Sequence, residues 1–328
     1  MPATSQSLSV LLVGAGSIGR RHARVLTALG LKDLRVCDPN EDQVAALRAE
    51  SPRVRPVESF ESGLAQAPDA VFVLTPPKLH IPLATAAVEA GCHVFTEKPL
   101  SMSLDGIDEL DELARRRCRK VMVGMCLRFH EGQLRVKSLL DEGRIGRLVA
   151  IRTYCGEYFP AARPDYLEAY YSKYSGALDL VHDIDLAIWY ANRPIRTVKA
   201  VHGSYTDLGM QAPDVAEIII DFEDRCLASI HVDFFQHPRR RGTELLGVDG
   251  SIHIRHISWG AYTIDIYNRH TDVIETIAGT SDRDDMFKAE DQTFLHAAAN
   301  DLPIACGLAE GKKSVHVVAE ALAQQDNA

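Results

Sequence analysis

Leu8-Ser9-Val10-Leu11-Leu12-Val13 runs directly into Gly14-Ala15-Gly16-Ser17-Ile18-Gly19, and this stretch decides the fold. A strand-length apolar run feeds a G-x-G-x-x-G turn, and Ser17–Leu29 then carries a helical pattern that stops at Gly30. In such a turn Gly14 permits the bend, Gly16 lets backbone approach a pyrophosphate, and Gly19 lets the helix pack on the strand. The first helical N–H groups, at Ser17 and Ile18, have no intrahelical partner and form an anion site. Asp38 lies nineteen residues beyond Gly19, closing a second apolar strand, Leu34–Cys37. A carboxylate there accepts hydrogen bonds from adenosine ribose hydroxyls and repels a 2′-phosphate, which favours NAD over NADP. Alternatively, Asp38 caps the helix that Glu41 and Asp42 open.

Strand and helix patterns go on alternating to about residue 124, as expected of a parallel sheet covered on both faces. Ala70–Leu74 is a buried strand stopped by Thr75-Pro76-Pro77, and a helix through Pro82 to Ala90 ends at Gly91. Val94-Phe95 leads into Glu97-Lys98-Pro99, and Leu104–Arg117 with Val121–Gly124 forms another helix–strand unit. The expectation is α/β: a Rossmann doubly wound sheet over 1–125, then a substrate-binding and oligomerisation domain over 126–328. In the second part, strand-like stretches at 147–158, 197–206, 215–222, 226–235, 243–248, 251–256 and 262–267 are separated by turns such as Asp249-Gly250. They predict a large, mostly antiparallel open sheet. Helices are expected at Leu134–Leu140, Leu178–Ala191 and Ala309–Gln324.

Composition excludes several classes. With 36 Lys+Arg against 45 Asp+Glu the net charge is −9, which speaks against a nucleic-acid partner. Seven scattered cysteines without a Cys-x-x-Cys pair point to neither a disulfide framework nor a metal site. Val10–Val13 is too short for a signal core or membrane span, and no basic n-region precedes it, so a cytoplasmic location without a membrane partner is expected.

Lys98 is placed at the carboxyl end of a sheet strand, where such folds bind and react their ligands. On a helical wheel over Leu178–Ala191, Asp179, His182 and Asp183 share an arc of roughly 100°, away from the apolar face of Leu180, Ile184 and Ile188. That arc is either an acid–base group flanked by carboxylates or the wet side of an amphipathic helix.

Taken in order, the glycine turn, Thr75-Pro76-Pro77-x-x-His80, Glu97-Lys98-Pro99, Arg128-Phe129-His130 and His182-Asp183-Ile184-Asp185 resemble the glucose–fructose oxidoreductase/inositol dehydrogenase (Gfo/Idh/MocA) family. The resemblance extends to Gln292-Thr293-Phe294-Leu295 and Asp301-Leu302-Pro303. It implies oxidation or reduction of a sugar, cyclitol or related carbinol, and a homodimer or homotetramer formed through the second domain's open sheet. Tyr158-Phe159-Pro160, Asp165-Tyr166 and Asp179-Leu180-Val181-His182 resemble a bacterial sugar-dehydrogenase subgroup.

Dehydrogenation needs a hydride acceptor and a base for the hydroxyl proton. His182 is the expected base, because an imidazole titrates near neutral pH. Lys98 is expected to hydrogen-bond the same oxygen, and Asp179 to orient His182, bind a neighbouring hydroxyl, or merely cap its helix. Thr75, Pro76, His80, Glu97 and Lys98 complete the expected cofactor set, with Glu97 on the nicotinamide ribose. Arg128, Tyr158, Arg163 and Tyr166 join Lys98, Asp179 and His182 as expected substrate contacts for a small polyhydroxylated ring. Two other functions fit the same motifs: a non-catalytic dinucleotide-binding sensor, and a glycosidase or lyase that recycles bound NAD.

Overall fold

Short apolar strands line up in parallel when each is followed by a helix that crosses back over the sheet. A computed structural model shows this for the first half of the chain and describes residues 5–168, 170–258 and 260–324. The protein divides into two units: residues up to Phe129 with Asp284–Val315, and His130–Arg283 with the residues from His316 onward.

The first unit runs β1 (Ser9–Val13), α1 (Ser17–Ala28), β2 (Asp33–Cys37), α2 (Glu41–Glu50), β3 (Arg55–Pro56), α3 (Phe60–Leu64), β4 (Ala70–Val73), α4 (His80–Glu89), β5 (His93–Glu97), α5 (Ile107–Arg116) and β6 (Val121–Gly124). Its six strands stand in the order β3-β2-β1-β4-β5-β6 and all pair in parallel. Strand order reverses between β1 and β4, which opens a crevice at their carboxyl ends. Val10, Leu12, Phe72 and Phe95 are fully buried in the sheet core.

The second unit begins with α6 (Glu131–Asp141), β7 (Leu148–Gly156), α7 (Phe159–Ala162), α8 (Tyr170–Lys173) and α9 (Val181–Ala191). Then follow β8 (Ile195–Gly203), β9 (Val215–Phe222), β10 (Cys226–Asp233), β11 (Arg240–Gly247), β12 (Gly250–His256), β13 (Ala261–Asn268) and β14 (Val273–Thr280). They form one sheet in the order β14-β13-β12-β11-β7-β10-β9-β8, in which only β7 and β10 pair in parallel. Helices α6 and α9 cover one face. Strand β14 escapes the sequence reading because it is an edge strand whose side chains are mostly exposed, so it lacks a clear buried alternation.

Two helices close the chain, α10 (Arg283–Asn300) and α11 (Leu308–Leu322). The sequence reading leaves residues 284–315 in the second domain, yet they belong to the first unit. The reason is packing. Phe294 is fully buried, with its ring 5.4 Å from Phe72 and 5.7 Å from Phe95. Asp291, also fully buried, holds the Nδ1 of His22 at 3.0 Å.

The expected Leu178–Ala191 helix starts late. A 3₁₀ turn occupies Gly176–Asp179, and α9 begins only at Val181. Gly176 has φ +56, and a Cβ there would stand 1.9 Å from the carbonyl oxygen of Pro213, so the chain bends sharply before the helix.

Phe294→Ala should cost about 3–5 kcal/mol in urea unfolding. A loss of well under about 1 kcal/mol would show that α10 is not part of the first core. Stability should also depend on pH through His22. Its carboxylate neighbours outweigh burial and raise its pKa from 6.5 to about 10. The contribution is therefore complete below pH 6.5 and drains away as pH climbs towards 10. The unfolding midpoint should fall across that range, and fall less in His22→Phe; equal slopes would contradict the assignment.

Candidate active site

Gly14 closes the β1 turn with φ +108 and donates its N–H to Cys37 O at 2.9 Å. A Cβ on Gly19 would lie 2.1 Å from Gly14 O, so only glycine lets α1 start against this turn. Gly16 is different: a Cβ there would meet nothing within 4 Å. The protein itself does not demand glycine at that position, but a ligand brought against the backbone does. Gly16 is also the N-cap of α1 and offers no side chain to the first N–H groups. Exposed Ser17 and half-buried Ile18 open the helix. Here the backbone presents unpaired donors to an anion.

A cleft of about 700 Å³ opens at this point, lined among others by Gly14, Gly16, Asp38, Thr75, Pro76 and Leu79. Asp38 Oδ2 accepts from Ala15 N at 2.8 Å, and Oδ1 accepts from Asn40 N at 2.8 Å. The α2 cap is Asn40, whose side chain accepts from Asp42 N and Gln43 N. Asp38 therefore does not cap that helix; it holds a carboxylate beside the glycine turn. Thr75 Oγ1 is buried and finds no hydrogen-bond partner among the described residues. An open backbone cradle, an acidic group at the end of β2 and an orphaned hydroxyl fit a bound dinucleotide.

His80, Glu97 and Lys98 do not line this cleft. Glu97 ends β5 and Lys98 follows it in a turn where the Lys98–Pro99 peptide is cis, while His80 opens α4 after β4. The His80 ring lies between two backbone carbonyls, 2.7 Å from Thr75 O and 2.9 Å from Pro99 O. Burial lowers its pKa, and the two carbonyl contacts work in the opposite direction. It links the turn after β4 to the turn after β5. Glu97 is buried and turned inward rather than presented to the cleft as the sequence reading expects. Its Oε1 lies 3.2 Å from His22 Nε2, and its Oε2 accepts the Lys98 N–H at 2.9 Å. Half-buried Lys98 thus springs from a fixed backbone. Arg128 is buried in the 3₁₀ turn Cys126–Phe129 that follows β6 in the same unit.

In the second unit the shared arc of Asp179, His182 and Asp183 does not form. Asp179 sits in the 3₁₀ turn, where its Oδ1 accepts from Ser175 Oγ at 3.3 Å. Half-buried His182 stands in the first turn of α9. Asp183 points into the protein and forms two bonds with the buried Arg241 guanidinium, at 3.1 and 2.6 Å. The tyrosines flank a small apolar cluster of Leu208, Met210 and Phe234. The Tyr158 ring lies tilted by 38° against His237 with centroids 4.0 Å apart, and Tyr166 Oη donates to Leu208 O at 2.8 Å. Exposed Arg163 lies 3.5 Å from Asp165 Oδ1, with its guanidinium 5.9 Å from the Tyr171 ring centre. Sequence reasoning missed His22, Asp291 and the Asp183–Arg241 pair, whose partners are joined only by tertiary structure.

Residues 8–125 match the model of an oxidoreductase family with an NAD-binding Rossmann fold, and residues 133–253 match the GFO/IDH/MocA C-terminal domain. Inositol 2-dehydrogenase 2 of Saccharopolyspora erythraea is 31% identical over 238 residues, covering 69% of this chain and 66% of that protein. An inositol 2-dehydrogenase of Klebsiella pneumoniae is 30% identical over 239 residues, covering 70% and 67%. Among solved structures, a levoglucosan dehydrogenase in complex with NADH and levoglucosan superposes with a TM-score of 0.87 at 20% identity, covering 98% of each chain. Gly16 with no steric reason of its own, the acidic end of β2 and these matches lead to one conclusion: the chain belongs to the Gfo/Idh/MocA family of NAD-binding oxidoreductases.

Proposed function

We propose that this protein is an NAD-dependent dehydrogenase that moves a hydride between nicotinamide and a CH–OH carbon of a sugar, sugar derivative or cyclitol. The observation that carries the reading is the arrangement of one sheet edge. The glycine cradle follows β1, Thr75 follows β4, and Lys98 follows β5, where Glu97 pins its amide. The names of the inositol dehydrogenase relatives support a cyclitol or sugar as substrate.

NAD, when bound, supplies the hydride acceptor. The Lys98 ammonium hydrogen-bonds the reacting oxygen and stabilises the negative charge that develops as the hydroxyl loses its proton. His182 takes that proton, and Asp179 steadies the imidazole or binds an adjacent hydroxyl. Tyr158, Tyr166, Arg128 and Arg163 bind the polyol by aromatic contact and hydrogen bonding. His80 acts on the site through backbone, by tying the Thr75 and Pro99 carbonyls together. Asp38 favours NAD, and two cations of α1 are already paired, Arg20 with Glu50 at 3.1 Å and Arg24 with Glu50 at 2.8 Å.

The sheet face opposite α6 and α9 serves as a subunit interface in this reading. Strand register places Val201, Ile219, Leu227 and Ile274 on it, at 64%, 38%, 45% and 66% exposure. A chain that sediments as a monomer would remove that part of the proposal.

Mixing the protein with NAD and a panel of cyclitols and sugars, myo-inositol included, should give steady NADH release. Bond cleavage without net NADH would instead indicate an NAD-recycling lyase or glycosidase, and binding without turnover would indicate a sensor. Lys98→Ala and His182→Ala should each lower kcat by roughly 10²–10⁴ with NAD affinity retained. Near-normal rates in both would end the acid–base assignment. In Asp38→Ala the preference for NAD over NADP should shrink; an unchanged preference would overturn the ribose assignment.

A further inference from the structure

His22, Glu97 and Asp291 form a buried charged group that the proposed chemistry does not use. The imidazole is 0% exposed. Its Nδ1 lies 3.0 Å from both oxygens of Asp291, and its Nε2 lies 3.2 Å from Glu97 Oε1. With carboxylates at both nitrogens, the ring has something to donate to on each side, so it carries both protons and is a cation. The other walls are the rings of Phe72, Phe95 and Phe287, with centroids 5.7, 5.2 and 5.6 Å away. The acidic groups facing His22 are Asp291 of α10 and Glu97 of β5. Arg21 of α1 turns towards the Phe287 ring and pairs with Asp284.

Such a group is a poor choice for stability alone. Taking three charges out of water costs more than packing apolar side chains of similar volume into the same space. What the group fixes is Glu97. One carboxylate oxygen meets His22 and the other receives the Lys98 amide, so the ion cluster ends at the backbone of the lysine. It also ties that backbone to α1, because His22 lies three residues beyond Gly19 on the helix that opens at the anion site. We propose that His22 and Asp291 are positioning residues for Lys98: they hold the Glu97 side chain in one orientation, so that its second oxygen sets the stem from which the Lys98 ammonium projects. This rests on the reading of Lys98 as the group that contacts the reacting oxygen.

The test uses the full chain, isotopically labelled for NMR and assayed with NAD and myo-inositol. In the wild type both His22 nitrogens should be protonated at pH 8, and the Lys98 amide proton should exchange slowly. Asp291→Asn keeps the side-chain volume but removes a charge; it should speed that exchange at least about tenfold and lower kcat on the order of 10–10²-fold, with NAD affinity unchanged. Introduced into Lys98→Ala, it should lower kcat no further. A merely structural role predicts a lower unfolding midpoint with equal losses in both backgrounds. A neutral His22 at pH 8, or a Lys98 amide indifferent to Asp291→Asn, would overturn the proposal without any substrate being turned over. If Asp291→Asn misfolds, His22→Gln is judged by the same amide exchange. Normal turnover in Lys98→Ala would sink the parent reading; a deficient Lys98→Ala beside an active Asp291→Asn would sink only this one.

Discussion

One carboxylate ties the first unit together. Glu97 ends strand β5 in the interior of the first unit, where a carboxylate left without partners would be costly. It has a partner on each side: a protonated imidazole from α1 faces one oxygen and a backbone amide faces the other. The imidazole in turn is held by Asp291 of α10. Three elements far apart in sequence are thereby committed to one geometry: the helix behind the glycine turn, the strand that carries the lysine, and a helix that returns from the end of the chain. The two-carbonyl contact of His80 adds the turn after β4.

The second unit uses the same device at the start of another helix. Asp183, in the first turn of α9, is buried against Arg241 of β11 with paired hydrogen bonds. An acidic group at a helix N-terminus is favoured by the helix dipole, and the fork of the guanidinium fixes its orientation. His182 precedes Asp183 directly, so the buried pair sets where the imidazole leaves the helix. Gly176, tight against Pro213, decides where the turn carrying Asp179 bends.

Much of this architecture was legible because local chemistry dictates it. Val10–Val13 before a glycine turn, Asp38 after a second strand, and a proline stop after Ala70–Leu74 each carry their meaning within a few residues. The alternating strands from β7 to β13 also declare themselves through buried and exposed positions. The edge strand β14 does not, since neither of its faces is well buried. A helical wheel misplaced Asp179 because it assumes an unbroken helix, whereas the chain changes direction at Leu180, where ψ is +45; it misplaced Asp183 because α9 is buried on nearly every side and Arg241 meets the carboxylate there. His22 reads as one more polar residue on α1. Its meaning comes from Asp291, 269 residues away, and no periodicity connects two such positions. Membership of α10 in the first unit was hidden for the same reason: Phe294 is apolar in any context, and only the fold shows which core it fills.

The account stands or falls on transfer of a carbon-bound hydrogen to the cofactor. myo-Inositol deuterated at every ring carbon, incubated with the protein and NAD, tests this directly by mass spectrometry of the recovered nucleotide. The account predicts reduced nicotinamide carrying one deuterium from the polyol. Reduced cofactor without that deuterium, or a polyol altered while the nicotinamide ring returns oxidised and unlabelled, would contradict it.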